Sequence, residues 1–126
     1  MTKFTKEENQ LLLTDLSARV PYGVKANIPL IDGDKRIYTV SFSEMDDFKK
    51  GYITIIPYLR PMSSMTEDEA IEFIKLTDNI IKYVNRYYAV LSIQQIDWLN
   101  AHHFDFRNLI ERGLAISTEE YNPYKS

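Results

Sequence analysis

The strongest constraint on the fold is a change in the spacing of apolar residues at "PYG", residues 21–23. Before this point the apolar residues follow a helical spacing, at Leu12, Leu13, Leu16 and Val20. After it they occupy every second position, at Val24, Ala26, Ile28 and Leu30. The first spacing is typical of a helix with one buried face, and the second of a strand with one buried face. We therefore predict an α+β fold.

The first helix is predicted at residues 6–20. Thr5 and Glu8 form a capping box, in which a hydroxyl and a carboxylate each bind a backbone N–H that the first turn leaves unpaired. Asp15 and Arg19 have the i,i+4 spacing of an ion pair on one helix face. The proline and glycine of "PYG" then end the segment.

The two segments that follow indicate a β-hairpin over about residues 24–42. The second segment also alternates, with Tyr38, Val40 and Phe42 on one face. Between the two lies "DGD", residues 32–34, which is a turn signal. The hairpin therefore supplies the first two strands of a small antiparallel sheet.

The register of this hairpin depends on the length of its loop. A two-residue turn would put Ile28 opposite Ile37 and mix the apolar and polar faces of the two strands. A three-residue loop pairs Ile28 with Tyr38 and Ala26 with Val40, which keeps one apolar face. We therefore predict the three-residue loop.

A third strand is predicted at about residues 52–59, after the polar segment "SEMDDFKKG" at residues 43–51. Its sequence, "YITIIPYL", is rich in the β-branched and aromatic residues that strands favour. Pro57 has no N–H to donate to a neighbouring strand. We therefore expect this strand, or its second half, to lie at an edge of the sheet.

A middle helix is predicted at residues 67–76, where Thr66 and Glu69 repeat the capping box. The segment that follows, residues 77–91, is ambiguous. Its β-branched and aromatic residues favour a strand, while its apolar residues also fit a helical spacing. Of the two alternatives we favour extended structure.

A C-terminal helix pair completes the predicted architecture. Ser92 caps a helix at residues 92–103, and Asp105 caps a shorter one at residues 106–112. The polar residues 117–126 are expected to form a loosely held tail. The predicted fold is thus a small antiparallel sheet packed with an N-terminal helix, a middle helix and this pair.

Composition limits the classes of function. A chain of 126 residues is long enough for one domain with its own core. The absence of cysteine excludes disulfides, thiolate-bound metals and a thiol nucleophile. A net charge of -3 disfavours binding of nucleic acid through the overall field of the protein. Without a secretory signal or a long apolar run, we expect a cytoplasmic protein that does not use a membrane.

The segment "DWLNAHHFDFRNLIERGLA", residues 97–115, raises the question of chemistry because histidines beside carboxylates can form a metal site or an acid/base pair. Neighbouring residues of a helix diverge by about 100°, so His102 and His103 should not point together. The spacing also differs from the i,i+4 pair of H-E-x-x-H. With Asp97 they are weak catalytic candidates, and we predict no catalytic, metal or cofactor site.

The neighbouring Phe104 and Asp105 have a structural interpretation. Asp105 is placed to cap the last helix, and Phe104 and Leu109 have the spacing of a hydrophobic staple across that helix start. Half of the suspicious cluster is therefore explained by helix formation alone.

Two groups of tyrosines and basic residues are candidates for an interaction surface. The first consists of Lys49, Lys50, Arg60, Tyr52 and Tyr58, and the second includes Tyr83 and Tyr87. Tyrosine offers a broad contact area with a polar tip, which suits a protein interface. A solvated strand edge and ordinary core packing explain the same residues without a partner.

Three blocks of the sequence resemble a family of small uncharacterised proteins from gut bacteria and their phages or mobile elements. The blocks are "LLLTDLSARVPYGV" (residues 11–24), "PYLRPMSSMTEDE" (57–69) and "DWLNAHHFDFRNLIERGLAI" (97–116). The resemblance implies a small cytoplasmic α+β protein, encoded with prophage or other mobile genes. It implies no activity, cofactor, substrate or functional residue.

The leading functional hypothesis is a non-enzymatic interaction, adaptor or regulatory module that binds a protein partner or itself. One alternative is a nucleic-acid-binding protein that uses a local basic patch of Lys49, Lys50, Arg60, Arg107 and Arg112. The last is an enzyme in which a histidine of the 97–115 segment acts as general base with an aspartate.

Overall fold

The computed structural model of this chain describes residues 4–29, 35–76 and 92–125. These residues form four α-helices and a four-stranded mixed sheet, which confirms the predicted α+β class. The predicted turn at residues 32–34 and the predicted extended segment at residues 77–91 lie outside the described residues.

Helix α1 spans Lys6–Arg19 and begins at the predicted capping box. The N–H of Glu8 donates to the Thr5 hydroxyl at 3.1 Å, and the N–H of Thr5 donates to the Glu8 carboxylate at 2.8 Å. A short 3-10 turn, Val20–Tyr22, follows the helix. Gly23 then adopts a left-handed φ of 72°, which glycine tolerates, and turns the chain into the sheet.

Strands β1 (Lys25–Pro29) and β2 (Lys35–Thr39) form the predicted antiparallel hairpin. Ala26 lies opposite Tyr38, however, and not opposite Val40. The predicted pairing is therefore wrong by two residues. Side chains alternate with a period of two, so an argument from faces fixes the register only to a multiple of two residues.

Strand β3 (Ile56–Leu59) is shorter than predicted and does not lie at an edge. The strand order is β2-β1-β3-β4, and β4 (Ile116–Ser117) pairs with β3 in parallel, so the sheet is mixed and not purely antiparallel. Pro57 lies opposite Ala26, whose N–H and C=O point towards β2. No hydrogen bond from an N–H at position 57 is therefore needed between β1 and β3, and proline is tolerated there. The prediction of an edge strand, which relied on this proline, is wrong.

Helix α2 (Phe42–Lys49) occupies the segment that the sequence analysis treats as a polar connection. It begins at a third capping box, in which the Glu44 carboxylate accepts from the N–H of Ser41 at 2.9 Å and from its hydroxyl at 2.7 Å. Phe42 therefore belongs to a helix and not to the hairpin, and its side chain is 80% exposed. The S-x-x-E spacing of "SFSE", residues 41–44, indicates this helix start, but the alternation of apolar residues up to Phe42 suggested that the strand continued.

Helices α3 (Glu67–Lys75) and α4 (Ile93–Ala101) confirm the predicted middle helix and the first member of the C-terminal pair. Helix α4 ends two residues earlier than predicted. The Ser92 hydroxyl accepts from the N–H of Gln95 at 3.0 Å, as expected of a helix cap.

The second member of the pair, predicted at residues 106–112, consists of turns. The Asp105 carboxylate accepts from the N–H groups of Leu109 at 2.8 Å and Ile110 at 2.9 Å. These lie four and five residues on, beyond the positions that a helix N-cap binds. Asn108 adopts a left-handed φ of 59°, which interrupts a helix at that residue.

The buried apolar residues form two clusters. The larger cluster joins α1, the sheet, α2 and the turns after residue 108. The smaller consists of Trp98, Leu99 and Phe104. Phe104 and Leu109 lie in different clusters, so the predicted staple between them is absent from the buried contacts of the described residues.

The segment predicted to be a loosely held tail makes specific contacts with the sheet. Ser117 belongs to β4, and the N–H of Thr118 donates to the Leu59 carbonyl at 3.0 Å. Further along, Tyr124 reaches the first residue of β1. These contacts bring the C-terminal residues beside the end of α4, where the two histidines lie.

Candidate functional site

The two histidines form the exit of α4, and the backbone there explains their positions. His102 is the residue at which the helix ends. The N–H of His103 donates to the Asn100 carbonyl at 3.1 Å, and the N–H of Phe104 donates to the Leu99 carbonyl at 2.9 Å. This pair of bonds is a Schellman motif, which places His103 at the residue after the cap.

His103 occupies a position that usually belongs to glycine. Its φ is 63°, in the left-handed region where a Cβ is unfavourable. A histidine at such a position costs conformational energy unless its side chain makes compensating contacts. We therefore expect the His103 ring to make such contacts.

The His103 ring stacks on the ring of Tyr124, with centroids 4.0 Å apart and an interplanar angle of 9°. Burial lowers the pKa of His103 to about 4, and the nearby charges of Arg19, His102 and Arg60 act in the same direction. The imidazole is thus neutral at pH 7. Its Nδ1 is enclosed without a hydrogen-bond partner among the described residues.

His102 is held in a different way. Its Nδ1 lies 2.9 Å from the Trp98 carbonyl oxygen, and a carbonyl can only accept, so Nδ1 carries a proton. The His102 ring also stacks on the Trp98 ring with centroids 4.0 Å apart. The two imidazoles therefore have separate stacking partners, consistent with the expectation that they do not point together.

Tyr124 carries its hydroxyl into the sheet. That hydroxyl accepts from the N–H of Lys25 at 2.9 Å and lies 2.8 Å from the Tyr58 carbonyl and 3.3 Å from the Lys25 carbonyl, to which it can donate. Burial raises the pKa of Tyr124 to about 12, so the hydroxyl keeps its proton.

The Tyr124 hydroxyl lies where a backbone hydrogen bond between strands β1 and β3 would otherwise form. Strands β1 and β3 pair Asn27 with Ile56 and Ala26 with Pro57, and the next step places Lys25 opposite Tyr58. In place of a direct bond from the Lys25 N–H to the Tyr58 carbonyl, the tyrosine hydroxyl bridges the two groups. The Tyr124 side chain therefore ends the pairing of β1 with β3.

Arg60 connects the histidine segment to α3. Its guanidinium makes two hydrogen bonds of 2.7 Å with the Glu69 carboxylate and lies 4.0 Å from the centroid of the Phe104 ring. The Arg60 hydrogen bonds lower the pKa of Glu69 to about 2. Its backbone N–H also donates to the His103 carbonyl at 2.7 Å, so Arg60 fixes the chain on which the histidine sits.

An open cleft of about 550 Å³ lies between these groups and the C-terminal segment. Most of the residues that line it are of polar or charged type, and they include both histidines. The other lining residues are Arg60, Ser64, Ala101, Thr118, Glu119, Asn122, Tyr124 and Lys125. This volume is within the range of about 300–1,000 Å³ found for ligand pockets.

The catalytic candidates are not brought together. Asp97 is exposed on α4 and is not among the residues that line the cleft. The carboxylate in the cleft is that of Glu119, which the sequence analysis did not consider. Within the described ranges, no group of three or more histidine, aspartate and glutamate side chains could hold a metal ion.

The residues of the predicted interaction surface are scattered in exposure. Lys49 and Lys50 are exposed, and Tyr52 is 72% exposed, whereas Tyr58, in β3, is only 8% exposed. Among the members that the structure describes, Arg60 is the one that lines the cleft. Tyr83 and Tyr87 lie outside the described residues.

Two residues of the predicted basic patch are engaged inside the protein. Arg60 pairs with Glu69, and Arg107 pairs with Asp15 at 2.6 Å. Lys50 pairs with Asp46 on the surface. The charges are therefore less available to phosphate groups than the sequence suggests.

A buried ion network lies behind the histidine segment. The predicted pair of Asp15 and Arg19 forms on α1 with both side chains fully buried, and Arg107 joins it from the C-terminal turns. Arg19 also donates to the Phe104 carbonyl, and both arginines lie over the Phe106 ring. This network holds residues 104–107 against α1.

Sequence reasoning missed Tyr124, Thr118 and Asn122, which build the outer wall of the cleft. Their neighbourhood is polar and has no apolar period, so no local pattern distinguished them from a free tail. Only the contact of that segment with β1 and β3 places them at the site.

No protein-family model, curated protein or solved structure matches this chain. Among the described residues, no helix has the length and apolar character needed to cross a membrane.

Proposed function

We propose that this protein is a non-enzymatic interaction module that binds an extended segment of a partner protein in the histidine cleft. The observation that carries the proposal is the cleft itself, an open groove with both polar and apolar surface whose two imidazoles are fixed by stacking. A groove with fixed side chains suits recognition because a ligand then binds without ordering the side chains that contact it.

Hydrogen-bonding groups in the cleft support a peptide as the occupant. The Thr118 hydroxyl and the Asn122 side-chain N–H groups make no hydrogen bond with other described residues. Both can pair with the carbonyl groups of an extended segment. The parallel strand β4 lies immediately before them, so a bound segment would run beside backbone that is already extended.

The enzyme hypothesis has less support. Asp97 does not line the cleft beside the histidines, and His103 has a pKa of about 4, far below the range of an efficient general base at neutral pH. The nucleic-acid hypothesis is weakened by the internal ion pairs of Arg60 and Arg107. Origin in a prophage or mobile element stays a prediction.

The test is affinity capture with a blocked cleft. Glu119→Trp places a large ring at the cleft, and Glu111→Trp, at an exposed position that does not line it, is the matched control. We expect a protein captured by the wild type and by Glu111→Trp to be lost with Glu119→Trp. Equal capture by all three forms would contradict the proposal. It would also be contradicted if size-exclusion chromatography showed that the wild type binds only to itself and that Glu119→Trp self-associates to the same extent.

A further inference from the structure

We propose that the slot filled by Tyr124 is a recognition site for a phenol group, occupied by the chain's own C-terminal segment until a tyrosine of a bound partner replaces it. This inference rests on the proposed function, since it names the side chain by which a partner segment would be recognised.

The end of the slot requires a group that both donates and accepts. The N–H of Lys25 needs an acceptor, and the Tyr58 carbonyl needs a donor. A hydroxyl satisfies both, whereas a carboxylate only accepts and an ammonium or guanidinium group only donates. A plain benzyl ring would leave both backbone groups unpaired. Because both contacts fall on one atom, and a carboxamide or an imidazole donates and accepts through different atoms, the polar end of the slot favours a hydroxyl.

The platform of the slot selects an aromatic ring. The His103 ring lies parallel to the ring of the occupant at 4.0 Å and is neutral at pH 7. It is held on a left-handed backbone that glycine would adopt more easily, so the imidazole is present at a position where a side chain costs conformational energy. An aromatic ring that stacks on His103 and carries a hydroxyl that reaches the sheet is a phenol.

The present occupant is attached in a way that allows its replacement. Tyr124 belongs to neither buried apolar cluster, and residues 119–121, which lead to it, are exposed. Before them, the N–H of Thr118 remains bonded to the Leu59 carbonyl. The Tyr124 side chain can therefore leave the slot without opening either apolar cluster, while Glu119 and Asn122 keep their places in the cleft wall.

A small-molecule experiment tests the slot directly. In the full chain with Tyr124→Gly, p-cresol should bind and toluene should bind roughly tenfold or more weakly, because toluene leaves the two backbone groups unpaired. Binding is measured by titration calorimetry and by the rise in Tm. In the control Tyr121→Gly, whose tyrosine is 57% exposed, Tyr124 still fills the slot and p-cresol should not bind.

Two results would overturn the slot as a phenol site. One is equal binding of p-cresol and toluene to Tyr124→Gly. The other is no binding of p-cresol, which is expected if Lys25 and Tyr58 close up into a direct ladder bond once the hydroxyl is gone.

Competition in trans tests replacement and does not require Tyr124→Gly to fold. The probe is a peptide of residues 118–126, compared with the same peptide carrying Tyr124→Phe. The full-length variant Tyr124→Phe keeps the ring but lacks the hydroxyl, so its own side chain should be replaced more easily. The tyrosine peptide should therefore bind to this variant several-fold more tightly than to the wild type. Equal affinities, or equal binding of both peptides, would contradict replacement.

The two proposals can fail separately. If Glu119→Trp removes a partner while p-cresol does not distinguish itself from toluene, the cleft is a binding site and the phenol slot is wrong. If p-cresol binds as expected and partner capture is unaffected by Glu119→Trp, the slot is real and the proposed cleft function is wrong.

Discussion

The hydroxyl of Tyr124 lies 2.8 Å from the carbonyl oxygen of Tyr58, at the point where the strand register calls for a backbone N–H. A side chain from residue 124 thus completes a hydrogen bond between two strands that lie far earlier in the chain. The same ring covers His103. The sheet, the helix exit and the C-terminal segment therefore meet at one side chain.

The first prediction concerns this hydroxyl. Tyr124→Phe keeps the ring on His103 but leaves the Lys25 N–H and the Tyr58 carbonyl unpaired, which should lower the free energy of unfolding by about 1–3 kcal/mol. Urea denaturation measures the change. Tyr121→Phe is the control, because Tyr121 is exposed, and it should change stability by less than about 0.5 kcal/mol. Equal effects of the two substitutions would show that the bridging hydroxyl is unimportant for stability.

The second prediction concerns the stability of the protein in acid. His103 has a pKa of about 4 in the folded protein against an ordinary value of 6.5, so the unfolded chain binds the proton more readily between these values. Stability should therefore fall as the pH is lowered from 6.5 to 4, and this contribution should level off below pH 4. Urea denaturation across this range measures the fall.

His103→Asn is the variant that tests this assignment. Asparagine tolerates the left-handed backbone and has no group that titrates in this range. The variant should therefore lose stability less steeply than the wild type as the pH falls from 6.5 to 4. His102→Gln is the control, because it leaves the buried imidazole of His103 in place. Its stability should fall with pH as steeply as that of the wild type. An unchanged slope in His103→Asn would refute the assignment.

The third prediction concerns Arg60 and Glu69. Arg60→Lys keeps the charge but loses the two-bond geometry with the carboxylate, so the pKa of Glu69 should rise from about 2 towards its ordinary value of 4.5. A carbon-detected NMR titration of the glutamate side chains measures this shift. In the wild type, the stabilisation by this carboxylate is present above pH 4.5 and lost as the pH falls towards 2. An unmoved titration in Arg60→Lys would mean that the guanidinium is not its cause.

The fourth prediction concerns the buried ion network. Asp15→Asn leaves the fully buried Arg19 without its counter-ion, and we expect a loss of about 3–5 kcal/mol in the free energy of unfolding. The exposed pair of Asp46 and Lys50 provides the control, and Asp46→Asn should cost at most about 1 kcal/mol. Thermal and urea denaturation compare the two variants. Similar losses would show that burial of the network contributes little.

The local part of the fold was predictable because its signals are local. The capping boxes at Thr5 and Thr66 and the helix cap at Ser92 identified where three helices start, since each involves residues only three positions apart. The box at Ser41 carried the same signal, but the apolar alternation before it suggested that the strand continued. Where two local patterns compete, their relative strength depends on packing that lies outside the segment.

The candidate site was predictable only in part. The sequence identified His102 and His103 as unusual and showed that adjacent positions do not form a helical metal pair. It suggested helix formation at Asp105, where the carboxylate instead binds N–H groups in a series of turns. It gave no indication of Tyr124, because a tyrosine in a polar tail looks the same whether it is free or bound to the sheet.

By itself, the sequence determined the α+β class, three helix starts and the buried faces of the hairpin strands, because periods and caps act over a few residues. Only the tertiary structure decided the register of the hairpin, the internal place of β3 and the use of Tyr124 as a bridge to Lys25. Each of these is a contact between distant segments, whose free energy depends on where the chain returns and not on its neighbours in sequence. A hydroxyl that spans two strands has no local signature, because its hydrogen-bond partners lie 66 and 99 residues away.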